Sequence, residues 1–127
     1  MSRAFGGLVL LLLGAATVVQ FNDPDPFRWV LFYGLGALVG ALALFKRLWW
    51  RHGLGYSILA VGAGAVYLFA AREGIGADWI EDEAVREGGG MLIAGLLTSV
   101  VTWLRWREAP HQPSPYVRKG EADVAGE

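Results

Sequence analysis

The chain has 127 residues, of which 54% are hydrophobic and 18% charged, with a net charge of −1. That is too apolar for a soluble domain of this size, and the basic residues do not gather into the patch that nucleic acid requires. Cysteine is absent and the two histidines, His52 and His111, fall in polar segments, which excludes disulfides and thiolate chemistry and argues against a zinc site.

A helix needs about 20 apolar residues to cross a bilayer core. The first block that meets this runs over 4–21 and carries no charge. Arg3, the apolar run from Leu8 to Leu13 and the small residues Gly14-Ala15-Ala16 also fit a secretory signal with a cleavage site. The apolar run continues through Val19, so a retained span is expected, and cleavage would leave the orientation of the later spans unchanged. Next comes Gln20-Phe21-Asn22-Asp23-Pro24-Asp25-Pro26. Each proline pushes the residue before it out of the helical region, so Asp23 and Asp25 are expected in an extended, constrained turn. Asp25 followed by Pro26 also matches a helix start, as N-cap and first helical residue. That role accounts for Asp25 and leaves Asp23 unexplained.

The second span covers 27–45, with Arg28 near its start, and the third covers 54–71. Between them lies the basic link Lys46-Arg47-Leu48-Trp49-Trp50-Arg51-His52. The fourth span covers 88–106, and an outward helical extension is expected to begin near Asp78. In that extension Asp82 and Arg86 would form an i,i+4 pair, and Glu83 and Glu87 would share a face. Gly88, Gly89 and Gly90 are costly in a helix, so they either let the first hairpin approach or break the helix. Within the spans apolar residues cover every face, as in a lipid-embedded helix. Small residues suited to close helix packing recur at Gly36 and Gly40, at Ala60 and Gly64, and at Gly95. They serve packing within the bundle or, alternatively, a face for a partner or a second copy. After residue 107 the prolines at 110, 113 and 115 forbid a helix, and the polar tail 108–127 is expected to be disordered.

The predicted fold is thus an all-α, integral membrane four-helix bundle over 1–107 with a short tail. Its orientation follows from loop charge. Arg3, then Lys46, Arg47 and Arg51, then Arg105, Arg107, Arg118 and Lys119 place eight of the 11 basic residues on one side. Asp23, Asp25, Glu73, Asp78, Glu81, Asp82, Glu83 and Glu87 place eight of the 12 acids on the other. Both termini are therefore expected to be cytoplasmic, in a cell-membrane protein. Trp49, Trp50, Trp103 and Trp106 would mark the inner interface, and Trp29 and Trp79 the outer one.

The segment Phe21-Asn22-Asp23-Pro24-Asp25-Pro26, followed by Trp29 and Tyr33, resembles the signature of the transmembrane protein 220 family. The stretch Glu83-x-x-Arg86-Glu87 is similar to it as well, and the resemblance spans roughly residues 4–106. It implies a small multi-pass membrane protein and supplies no reaction, ligand or catalytic residue.

The outer acidic face is where function is expected. Asn22, Asp23, Asp25, Glu83, Arg86 and Glu87 are its candidate residues. Carboxylates and the Asn22 carbonyl could hold a divalent cation or small ligand, although the spacing is no known calcium loop. Alternatively, Arg86 pairs with Asp23 or Asp25 and locks the hairpins together. No nucleophile and base stand at a telling spacing, so no catalytic residue, enzyme activity or cofactor is expected. The spans carry hydroxyl groups, including those of Thr17, Tyr33, Ser57, Tyr67, Thr98, Ser99 and Thr102, rather than ionisable pathway residues, so transport is not expected either. The leading expectation is a structural or accessory membrane subunit with an ordered acidic cap, the alternative a cation- or ligand-binding module. Its partners would be the bilayer and a membrane protein or a second copy. The orientation is checked by reporter fusions at residue 127: green fluorescent protein should fluoresce and alkaline phosphatase stay inactive, and the opposite result would invert the topology.

Overall fold

The computed structural model describes residues 1–73, 76, 79, 82–109 and 126. Among them the order is α1 (Ser2–Val19), a 3-10 turn (Gln20–Asn22), α2 (Pro26–Leu44), α3 (Trp50–Ala71) and α4 (Glu83–Glu108). All four helices are long and apolar enough to cross a membrane, and no strand occurs among the described residues. Helix α4 begins at Glu83 rather than near Asp78. Asp82 is extended and its side chain accepts from the backbone N–H groups of Ala84 and Val85. A carboxylate that caps the first turn in this way ends the helix on its own N-terminal side. Asp78 and, of the tail, residues 110–125 and 127 lie outside the described residues.

The bundle is built inside out relative to a soluble protein. Leu11, Leu38, Ile58, Leu59, Val66, Ile93 and Leu96 point outward, while Gly6, Gly40, Ala43, Ala60, Gly64, Ala94 and Gly95 are buried. Large apolar side chains outside and small ones inside suit helices that solvate their outer faces with lipid and approach each other by backbone contact.

Those approaches are close. A Cβ added at Gly40 would sit 2.6 Å from Leu10 N and 2.8 Å from Gly6 O, and one at Gly6 would sit 2.8 Å from Gly40 O. Helices α1 and α2 therefore cross with two glycines facing. In the second hairpin a Cβ at Gly64 would meet Gly88 O at 2.8 Å, and one at Gly95 would meet Val61 N at 2.9 Å. The expected small-residue positions thus pack within the bundle. Gly36 does so differently from Gly40: it leaves room for Leu13 and for the Tyr56 hydroxyl, which donates to Phe32 O at 3.0 Å. The glycine triplet breaks no helix. Gly88 faces α3, Gly90 faces the Tyr33 hydroxyl of α2, and a Cβ on Gly89 would meet nothing within 4 Å.

Polar links between the spans are few among the described residues. Ser57 Oγ donates to Thr98 Oγ1 at 3.0 Å, and Thr98 Oγ1 donates to Ala94 O at 2.8 Å. Helix α4 packs against all three other helices, and the two hairpins meet chiefly along it. At one end of the bundle Glu108, on the last turn of α4, accepts from Ser2 N at 2.8 Å and from Ser2 Oγ, so a carboxylate of α4 caps α1. This is the basic end; the ends near Asn22, Arg72 and Glu83 form the acidic end.

Helix α2 closes with Arg47 N donating to Leu42 O at 2.7 Å and Lys46 N to Ala43 O at 3.0 Å. This is the pattern that normally ends on a left-handed glycine. Here the left-handed residue is Lys46, with φ 59°, at a cost of about 1 kcal/mol relative to glycine. Two substitutions test the packing. Gly40→Ala, which forces the first hairpin apart, should destabilise by about 1–3 kcal/mol in reversible unfolding in mixed micelles. Gly14→Ala, where a Cβ meets nothing within 4 Å, should be neutral or stabilising by up to about 1 kcal/mol.

Candidate functional site at the acidic end

The turn after α1 is held by its own side chains. Asp23 takes extended backbone, φ −74° and ψ 147°, and its Oδ1 accepts from Asp25 N at 3.0 Å. That bond accounts for Asp23, which helix capping left unexplained. Asp25 occupies the N-cap position ahead of Pro26, as expected, but its side chain makes no capping bond. Its Oδ2 instead lies 3.8 Å from Arg28 Nε, one turn into α2.

Arg28 is the pivot of this end. Its Nη2 lies 3.7 Å from Glu87 Oε1 on α4, and its guanidinium carbon lies 4.7 Å from the Trp29 ring centroid. A cation bridging the two hairpins was expected, but with Arg86 and either Asp23 or Asp25. Among the described residues the bridge runs from Arg28 to Glu87. The expected Asp82–Arg86 pair is also absent among the described residues, because the Asp82 carboxylate is turned to the N–H groups of its own helix. Arg86 has no side-chain partner among the described residues, and its N–H donates to Asp82 O at 3.0 Å as part of the helix. The pairing between hairpins fails because sequence spacing places side chains along a helix but leaves open how far the neighbouring helix is rotated about its axis.

Between the hairpins lies a cavity of about 400 Å³. Asn22, Asp23, Glu83, Arg86 and Glu87 line it, so five of the six candidate residues converge on one space, and Asp25 does not. Its remaining wall is Val19, Gln20, Pro24, Trp29 and Tyr33. Trp29 faces inward, only 2% exposed, rather than out toward an interface. Its ring lies 6.2 Å from that of Tyr33 and 6.4 Å edge-on to that of Tyr67. The i,i+4 spacing of Trp29 and Tyr33, one turn inside the polar segment, was the signal available for this aromatic wall. No comparable signal pointed to Arg28. The volume falls within the range of small-ligand sites, and the lining sets a polar, mainly acidic side against a wall of Val19, Pro24, Trp29 and Tyr33.

The family model described as transmembrane family 220, helix, matches residues 4–103. The chain belongs to this family. No curated protein and no solved structure matches it. The matched stretch contains all four helix cores and every residue lining the acidic-end cavity, so this family-220 chain carries the cavity within the part it shares with its family. No group of three or more Asp, Glu, His or Cys side chains able to hold a metal occurs among the described residues.

The bridge can be tested by a double-mutant cycle. Arg28→Gln and Glu87→Gln should couple by up to about 1 kcal/mol in detergent unfolding, and Arg86→Gln with Asp23→Asn should couple by much less. The reverse order would restore the pairing read from the sequence.

Proposed function

We propose that this family-220 protein is a non-catalytic membrane module that binds a small organic cation in the acidic-end cavity. The observation that carries this reading is the composition of the cavity wall. Asp23, Glu83 and Glu87 supply negative charge, Trp29 and Tyr33 supply aromatic surface, and Arg86 is the sole cation lining it among the described residues. An ammonium group gains from carboxylates and from aromatic faces together, most of all where water is partly excluded. Such a ligand suits this wall better than a bare divalent ion, which needs several oxygen ligands drawn tightly around one point.

A second reading, a structural or accessory subunit presenting an ordered cap, is favoured by the bracing of the same end. Asp23 holds Asp25, and Arg28 reaches both Asp25 and Glu87. A braced cap would give a partner a fixed surface at the membrane edge.

The two readings separate on purified protein. Tetramethylammonium and butylamine, titrated in mild detergent, should raise the melting temperature of the wild type, since a ligand at 100-fold its dissociation constant adds about 2.7 kcal/mol. Glu83→Gln, which removes a charge from the wall without touching the Arg28–Glu87 bridge, should reduce that shift. No shift with either amine, together with recovery of a stoichiometric membrane partner, would replace the first reading by the second.

A further inference from the structure

At the basic end a second cavity, of about 500 Å³, is lined by Met1, Arg3, Lys46, Arg105, Glu108 and Ala109. Three helices deliver its cations to one place. Arg3 comes from the first turn of α1, Lys46 follows the last turn of α2, and Arg105 stands on the last turn of α4. Two of them are anchored on the end of α2: Arg3 Nε donates to Leu44 O and Arg105 Nη2 to Lys46 O, each at 3.1 Å. Anchoring by one nitrogen fixes each guanidinium and leaves its other N–H groups for a further acceptor.

The local carboxylate does not neutralise this set. Glu108 is engaged by Ser2, by the Met1 amino group at 3.1 Å and by Arg105 Nη1 at 3.8 Å. Arg3 and Lys46 have no ion-pair partner among the described residues, and Arg105 Nε is buried without a hydrogen-bond partner among them. Lys46 adds an independent observation. It holds the strained left-handed position, φ 59°, where glycine would be preferred. Strain of this kind concentrates where a side chain is needed in place, and here it keeps an ammonium at the rim of the cavity.

All three cations stand at the ends of membrane spans, which is the depth of lipid phosphates. Basic pockets between spans at that depth bind anionic headgroups. We propose that this cavity seats the phosphate of an anionic phospholipid, held by Arg3, Lys46 and Arg105. The site is separate from the acidic-end cavity, at the opposite end of the bundle.

The test uses the purified full chain in neutral detergent, with thermal unfolding and native mass spectrometry as readouts. Phosphatidylglycerol should remain bound and raise the melting temperature, whereas phosphatidylcholine and inorganic phosphate at matched concentration should not. Arg3→Gln and Lys46→Gly should each weaken phosphatidylglycerol binding about fivefold. Lys46→Gly relieves the left-handed strain, so its lipid-free melting temperature should not fall and lost binding cannot be ascribed to unfolding. Arg47→Gln removes a cation beside the cavity that does not line it, and should leave binding within twofold. An equal shift with inorganic phosphate would overturn the lipid assignment. An equal loss in Arg47→Gln and Lys46→Gly would overturn the site in favour of diffuse surface charge.

Discussion

Backbone contact between facing glycines is the constraint on which the rest of this structure depends. Lipid tails are as apolar as leucine, so burying leucine between helices gains little over leaving it in the bilayer. What holds helices together there is dense van der Waals contact, which requires that nothing stand between the backbones. Gly6 against Gly40, and Gly64 against Gly88, meet that requirement in the two hairpins. Their contact also fixes how far each helix is turned about its own axis, and therefore which residues face the other hairpin.

With the hairpins closed, α4 becomes the common element of the bundle. Its small and hydroxyl residues face inward, and Thr98 receives the Ser57 hydroxyl from α3. Where the spans end and water returns, charges take over from packing. Glu108 of α4 caps α1 at the basic end, and Glu87 of α4 meets Arg28 of α2 at the acidic end. One helix thus carries both fastenings, and each lies beside a cavity. The two cavities have opposite character because the charge asymmetry of the loops is carried straight to the two ends of the bundle.

The acidic-end site was partly legible in advance. Asn22, Asp23, Glu83, Arg86 and Glu87 stand out as polar residues at the edges of apolar blocks, and they do share a cavity. Asp25 shares the segment but not the space. Arg28 was not legible as part of this end's architecture, because a cation at a span boundary is ordinary in a membrane protein; the spacing of Trp29 and Tyr33 marked an aromatic pair but not that Trp29 turns inward. Tyr56 is a polar link that no pattern in the sequence marks. Only the gap left by Gly36 shows how its hydroxyl reaches the Phe32 carbonyl.

The sequence by itself determined the number and approximate limits of the spans, the helical class and the polar turn at 20–26. Each is a property of contiguous residues: a run of about 20 apolar side chains, or two prolines that restrict the residues before them. Tertiary structure decided the turning of Trp29 inward, the pairing of Arg28 rather than Arg86 with an acid, and the separate roles of Gly36 and Gly40. Most of these depend on the rotation of one helix against another. That rotation is set by contacts between residues far apart in the chain, such as Gly6 with Gly40, which no local pattern contains.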